Sequence, residues 1–512
     1  KAPSTYALAL GSGMIMGIIP APVNAWWVAW FALAPLWWLI SQTKKVRSAM
    51  FLGALWGLGY HGAALSWITG LHPLTWMGIP WLASVAIAIF SWLFITVWGL
   101  PILMIWSGVM AWMFPRYGLV VRLLVGSTLW CALEWLWTQS PLWWTTLAYT
   151  QSPTNLVILH LGQLGGTTAI TAALVAVNGL VAASISTVTY RWRYLGIAGA
   201  LVLGLHLIGY GLYRQPRVEN PAAAIQIGIV QGNIPTRIKL TPEGIGQGIE
   251  AYVSGYRELA QQGADAVLMP EGAFPFQWGD YRHQALLDEM RSQQVPAWIG
   301  TFMPQNPAKT VITQSLIALT PAGDVQSQYD KVKLVPLGEY IPPALSQLMG
   351  RLSPLKSTML PGEAGQSFDT PLGRAVVGIC FDSVFPELFR LQVAQGGEFI
   401  LTASNNDPYS HRMMLQHHAH DVMRAIESDR WAVRATNTGY SGIVDPHGHT
   451  LWISERLTSA THLHQIYRRQ TQTPYVRWGN GLLLLLGGLS SVALLTSTNQ
   501  NKIRVGFRRN SH

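Results

Sequence analysis

Arg374-Ala-Val-Val-Gly-Ile-Cys380-Phe-Asp382-Ser-Val-Phe-Pro-Glu387 is the stretch on which the reading of this chain turns. Apolar and small residues lead to one cysteine, small and acidic residues follow, and a Pro-Glu pair closes the run. The pattern predicts a short buried strand that ends at Cys380 and delivers its sulfur to a turn. Only one other cysteine exists, Cys131, in a strongly apolar run where it reads as packing. No disulfide can therefore form within the polar part of the chain. A lone cysteine in a strand is ordinarily a small buried hydrophobe, so a functional reading needs support from elsewhere.

Working outward, the composition separates two textures. Half of the 512 residues are hydrophobic, 11% are charged, and 24 are tryptophans. That is too apolar for an ordinary soluble protein and points to several membrane spans. About 20 apolar residues cross a bilayer. By that measure spans are expected near 5–19, 26–40, 50–69, 80–112, 119–137, 164–188 and 194–213, with an eighth near 480–497. The first two are short and closely spaced, as in a re-entrant pair, and the first reads as a retained helix because no small-residue cleavage site follows it. The formal charge of +10 does not point to nucleic acid, because the basic residues are not clustered on one soluble face. Lys44, Lys45, Arg47, Arg116, Arg122, Arg191, Arg193 and the tail Lys502, Arg504, Arg508 and Arg509 mark alternate loops, whereas 20–25, 70–79 and 138–163 have no lysine or arginine. Positive loops face the cytoplasm. The expected organisation is helices 1–7 over 1–213, an extracytoplasmic domain over 214–477, and helix 8 with a basic cytoplasmic tail over 478–512.

Within 214–477 strands are expected at 225–230, 266–269, 297–302, 311–319, 374–380 and 398–403, and helices near 243–262, 280–293 and 411–427. This alternation implies an α/β layered sandwich beside the helical membrane bundle. The stretch 345–366 reads as a long loop. Three polar groups stand at or near predicted strand ends: Glu271 after Val267-Leu-Met-Pro270, Lys331 in Tyr329-Asp-Lys331, and Cys380. A thiol attacks as thiolate and needs a base or a positive charge beside it. A carboxylate can take the proton, and an ammonium can stabilise the oxyanion formed on a carbonyl. Taken singly, a glutamate after proline is most often a solvated turn residue and a lysine in a mixed strand a surface cation.

Taken together, Pro270-Glu271, Tyr329-Asp330-Lys331 with Pro336-Leu-Gly-Glu339, and Gly378-Ile-Cys380-Phe-Asp382 with Phe385-Pro-Glu387 resemble the Glu-Lys-Cys set of the nitrilase superfamily. Placed between seven spans and an eighth, they resemble its membrane-bound branch, the apolipoprotein N-acyltransferases, and the likeness extends to Val230-Gln-Gly-Asn233-Ile-Pro235, Ser404-Asn405 and Thr436-Asn437-Thr-Gly439. The resemblance implies an α-β-β-α sandwich with Cys380 as nucleophile, Glu271 as general base and Lys331 as oxyanion stabiliser. It further implies Glu339, Asp382 and Asn405 as supporting residues and Trp143 as a lipid-contacting candidate; Tyr409 stands as a replacement for an aromatic common in the family, and Glu134, a carboxylate inside an apolar span, either faces the lipid entrance or is hydrogen-bonded within the bundle. The implied reaction moves an acyl chain from a phospholipid, phosphatidylethanolamine, through a thioester to the α-amino group of a diacylglyceryl apolipoprotein in the bacterial inner membrane. The enzyme is expected to work as a monomer, without metal or other cofactor, since ester-to-amide transfer is downhill. The chain departs from the family pattern at Phe381-Asp382, Asn406-Asp407-Pro408-Tyr409, Leu240 and Trp137. Two other readings stand: a membrane-tethered amidohydrolase using water, and a transporter-like bundle with a degenerate domain. The histidines 411, 417, 418 and 420 suggest a metal tract, but no cysteine or carboxylate set completes it.

Overall fold

The structure, a computed structural model, describes residues 2–216, 219–336, 338–340 and 358–509. They divide into two units: the residues up to Ser66, with Trp92–Arg214 and the segment from Trp478 on, and Trp67–Ser91 with Gln215–Arg477.

The first unit is helical. Its helices are α1 (Ala2–Ile18), α2 (Ala34–Ser41), α3 (Val46–Ala64), α4 (Trp81–Met113, whose first residues belong to the second unit), α5 (Leu119–Thr138), α6 (Gly162–Ser186), α7 (Arg191–Tyr213) and a final helix, Gly481–Arg509. Among the described residues α4, α5, α6 and α7 with its preceding turn are long and apolar enough to cross a membrane. Their outward faces expose apolar bulk, such as Val97 on α4 and Leu203 and Leu207 on α7. A helix satisfies its own backbone groups and so tolerates lipid along such a face. α1 lies along α3 at close range, because a Cβ at Gly59 would run into the Leu10 carbonyl. Small residues permit that approach and let dispersion replace the missing hydrophobic drive.

Two expected spans differ from what forms. The segment near 26–40 is broken: Trp26–Trp30 makes a tight turn and α2 begins only at Ala34, with Pro35 in its first turn. The N–H groups of Leu33 and Ala34 donate to Asn178 Oδ1 of α6 at 2.9 and 2.8 Å, the second shared with the Phe31 carbonyl, so the break is capped within the bundle. The expected span near 50–69 ends at Ala64.

The second unit is a sandwich of two mixed sheets. Its strands are β1 (Ala224–Gln231), β2 (Ala266–Leu268), β3 (Ala297–Pro304), β4 (Val311–Leu319), β5 (Val325–Asp330), β6 (Thr358–Met359), β7 (Phe368–Thr370), β8 (Gly373–Ile379), β9 (Phe399–Ser404), β10 (Ala432–Thr436), β11 (Gly442–Val444), β12 (Thr450–Ile453) and β13 (Ala460–Tyr467). The first sheet runs β13-β1-β2-β3-β4-β5 with β6 beside β4, and the second runs β12-β11-β10-β9-β8-β7. Alternation along β1 sends Ile225, Ile227 and Ile229 into the core between the sheets, where they join Trp298, Val377, Leu401 and Val433. Val230 belongs to a second core under α8 (Pro242–Gln261) and α9 (Gln284–Gln293), with Tyr252, Tyr256, Leu286 and Met290. α10 (Pro386–Ala394) and α11 (His411–Ser428) serve the second sheet. On α10 the Gln392 carboxamide clasps both the N–H and the carbonyl of Val377 at 2.8 Å. The expected loop 345–366 contains β6, and its residues 345–357 lie outside the described residues.

Candidate functional site

Three strand ends build the site. β2 leaves the first sheet at Leu268 and turns through Pro270 to Glu271, which is 7% exposed. That turn lies flat against β3 because residue 300 is glycine: a Cβ there would strike the Pro270 carbonyl and come within 2.8 Å of the Glu271 Cα. β5 delivers Lys331 one residue past its end, fully buried, with its N–H donating to Gln314 O at 2.8 Å. β8 ends at Ile379, and Cys380 follows in the left-handed region at φ 49°. A non-glycine residue there costs roughly 1–2 kcal/mol, strain of the kind that collects at functional turns.

Lys331 Nζ donates to Glu271 Oε1 at 2.8 Å and to Glu339 Oε1 at 2.5 Å. The second oxygen of Glu271 accepts from the Asn405 backbone N–H at 2.9 Å, and that of Glu339 from the Val335 N–H at 2.8 Å. Both carboxylates are thus held at both ends. An ammonium has three N–H donors, and two are engaged by carboxylates. Burial alone would lower the Lys331 pKa, yet Glu271 and Glu339 more than offset it, so the ammonium is held above the usual lysine value. Burial, and then the Glu271 charge, push the Cys380 thiol well above its ordinary range, while Lys331 pulls the other way. The resting sulfur is therefore a neutral thiol beside a carboxylate able to take its proton.

Asp382 ties the cysteine turn to the lysine strand. Its carboxylate accepts from Ile379 N–H at 3.1 Å, from Lys333 N–H at 2.8 Å and from Tyr329 Oη at 3.2 Å. Burial raises it to about 6, against the pull of Lys331 and those N–H groups. Six of the residues singled out in the sequence, Glu271, Lys331, Glu339, Cys380, Asp382 and Asn405, are thus gathered around one group. Tyr409 is half-buried near them, its hydroxyl raised first by desolvation and then by the Cys380 and Glu339 charges, and its ring meets Trp67 edge-on at 5.3 Å. Trp143 and Glu134 lie in the helical unit. Glu134 accepts from Trp130 Nε1 and Leu147 N at 3.0 Å and from Thr171 Oγ1 at 3.1 Å, and Trp143 Nε1 donates to Thr146 Oγ1 at 2.9 Å.

Sequence reasoning missed part of the surroundings. Lys239, buried, donates to the Glu271 carbonyl at 3.1 Å. Burial lowers its pKa to about 8 despite Glu271 and Asp407. Arg434 lies in the apolar strand β10 and pairs with Asp421, both buried. A charged residue inside an otherwise apolar strand was the available signal for it. The histidines do not converge: His411 meets Tyr440 Oη at 2.9 Å, His418 meets Thr450 Oγ1 at 2.8 Å, and His417 meets the Cys380 carbonyl at 2.8 Å. Among the described residues no three histidine, cysteine or carboxylate side chains are grouped to hold a metal.

Residues 222–466 match the carbon-nitrogen hydrolase family, and residues 12–180 match the apolipoprotein N-acyltransferase N-terminal domain. An apolipoprotein N-acyltransferase from Nostoc sp. is 50% identical over 490 residues, covering 93% of this chain and 96% of the relative. One from Synechocystis sp. is 44% identical, covering 94% and 98%, and one from Gloeobacter violaceus is 37% identical, covering 95% and 93%. Among solved structures, an amidase from Nesterenkonia sp. is 18% identical with a TM-score of 0.39, covering 52% of this chain and 98% of that one. By its two family matches and its near full-length relatives, the chain belongs to the apolipoprotein N-acyltransferase family.

Proposed function

We propose that Cys380, Glu271 and Lys331 carry a two-step transfer of a fatty acyl chain from a phospholipid to the N-terminal amine of a diacylglyceryl apolipoprotein. The observation that carries the reading is the buried ammonium of Lys331 clamped between Glu271 and Glu339, with the Cys380 thiol in the field of all three. Membership of the acyltransferase family and the long apolar helices support a lipid substrate met at a membrane.

In the first step Glu271 takes the thiol proton as Cys380 Sγ attacks the ester carbonyl carbon. The third N–H of Lys331 stabilises the oxyanion. The carbon–oxygen bond then breaks, and Glu271 returns its proton to the departing lysophospholipid alkoxide. In the second step the amine nitrogen attacks the thioester carbon and loses a proton to Glu271. The carbon–sulfur bond breaks, the amide forms, and the sulfur recovers the proton. A thioester keeps the acyl group activated, so two bulky lipids use one site in turn. Asn405 and Glu339 orient the base and the cation, and Asp382 holds the turn. Trp143, Tyr409 and Glu134 are assigned to lipid contact, and no cofactor is called on.

Incubation of the full-length protein with phospholipid vesicles, followed by intact-mass and peptide analysis, should show one acyl group on Cys380, formed faster from phosphatidylethanolamine than from phosphatidylglycerol. A diacylglyceryl-cysteine peptide should discharge it as the amide. Rapid discharge to water with no acceptor present would instead identify an amidohydrolase.

The loop charges support an inner-membrane protein with both termini cytoplasmic, helices within 1–213 and 478–512, and the catalytic domain of 214–477 on the periplasmic side, which we take to act as a monomer. Both native cysteines are buried, so Tyr281→Cys at an 83% exposed position supplies the reactive thiol. A membrane-impermeant maleimide should label it in intact spheroplasts, and labelling only after lysis would reverse the orientation.

A further inference from the structure

A carboxamide beside the nucleophile has no role in the reaction as described so far. The Cys380 sulfur lies 3.7 Å from the side-chain amide atom of Asn406 assigned as Oδ1, to which the thiol would donate, in a residue 1% exposed. The same end of that amide is 3.2 Å from His417 Nδ1. Which of its two atoms stands there follows from the histidine. His417 Nε2 is 2.8 Å from the Cys380 carbonyl oxygen, which can only accept, so Nε2 carries a hydrogen. His417 is fully buried, and the Arg434 guanidinium stands 3.1 Å from Nδ1. Burial first, and then Arg434, hold the imidazole well below the usual histidine range. The ring is therefore neutral, and Nδ1 offers a lone pair that accepts from Arg434.

An amide oxygen aimed at that lone pair would be repelled, whereas an amide nitrogen would share it with Arg434 in a three-centre hydrogen bond. The oxygen and nitrogen of a carboxamide are told apart by their hydrogen-bond network, and here the network puts Nδ2 toward the imidazole and the sulfur. Arg434 is itself anchored by Asp421 and donates to Ser404 Oγ at 2.9 Å, two residues before Asn406. The orientation is thus set by a buried chain running from Asp421 through Arg434 and His417.

We propose that Asn406 is a further catalytic residue, whose Nδ2–H donates to the Cys380 sulfur and stabilises the thiolate while the proton passes to Glu271, with His417 and Arg434 as positioning residues. The role rests on Cys380 being the nucleophile, but its test does not use acyl transfer. In the full-length protein in lipid nanodiscs, iodoacetamide alkylation of Cys380 is followed against pH by peptide mass, which separates it from Cys131. A hydrogen bond to a charged group sets the scale, and Asn406→Ala should slow alkylation near neutral pH roughly 10- to 100-fold. Its midpoint should rise by about 1–2 pH units. Asn406→Asp keeps the shape and the acceptors but removes the donor, and should be at least as slow.

His417→Gln should show a smaller shift of the same sign, because the carbonyl contact is replaceable and the tautomer is not. A purely packing role would lower the melting temperature and leave the alkylation midpoint where it is in the unaltered protein. That result in either Asn406 variant, or an Asn406→Asp protein titrating like the unaltered one, overturns the proposal. If Asn406→Ala fails to fold, the near-isosteric Asp variant alone decides. Loss of the acyl adduct with normal alkylation chemistry would strike at the nucleophile assignment instead.

Discussion

Cys380→Ala should lose acyl transfer by roughly a million-fold, about 8 kcal/mol of barrier, because a covalent mechanism without its nucleophile retains only binding and oxyanion stabilisation. The protein should nevertheless fold and insert. Alanine replaces one small buried side chain, and among the described residues the Cys380 sulfur has one hydrogen-bond contact, at 3.7 Å to Asn406. The backbone supplies a sharper check. Residue 380 sits at φ 49°, which glycine adopts freely and alanine does not. Cys380→Gly should therefore be more stable than Cys380→Ala by about 1 kcal/mol while being equally inactive. Thermal unfolding in detergent and a labelled-phospholipid transfer assay read the two effects separately. Residual turnover above about one part in a thousand, or an alanine variant more stable than the glycine one, would sink the assignment of a strained nucleophile.

Much of this site was legible in the sequence because its parts fall where a strand pattern stops. Ile225, Ile227 and Ile229 alternate, Val267 and Leu268 precede Pro270-Glu271, and Ala375 to Ile379 precede the cysteine. Burial on both faces of a layered sheet leaves such runs visible. Three of the strands that escaped notice carry polar or charged residues inside them. β5 reads Val-Gln-Ser-Gln-Tyr-Asp, β10 holds Arg434, and β13 holds His462, His464 and Gln465. β13 is placed by pairing along the whole of β1, a contact more than 200 residues distant that no local period reports. The histidines were hard to place for a related reason. Helical spacing brings side chains to one face of α11, but it does not say which strand or turn each one meets, and His417 meets the nucleophile turn. In the membrane unit a count of apolar residues overran Pro35 and the end of α3 at Ala64. Hydropathy measures length and not continuity.

Lys331→Met should be the most destabilising single change at the site, and its cost should depend on pH. In the unaltered protein the buried ammonium stands between the buried Glu271 and the half-buried Glu339 carboxylates, at 2.8 and 2.5 Å. Removing it leaves Glu271 and Glu339 facing each other with no counter-charge, and breaking a buried pair in this way costs about 3–5 kcal/mol. Activity should fall further than the ~2.7–4 kcal/mol attached to one oxyanion donor, because the base loses the group that orients it. The sign of the pH effect follows from the carboxylates. Glu339 is already held above its usual value by burial and by Glu271, with Lys331 opposing, so removal of Lys331 raises it further. A carboxyl whose folded pKa lies above its unfolded value contributes stability that is present below the unfolded pKa and is lost as pH rises through the folded one. Lys331 stays charged throughout this range in the unaltered protein. The stability gap between the two proteins should therefore be small near pH 5 and widen toward pH 8. Glu339→Gln in the Lys331→Met background removes one of the two charges, and should recover most of the lost stability at pH 8 and almost none of the activity. Equal melting temperatures for the single and double variants at pH 8 would mean that the two glutamates do not share the buried ammonium.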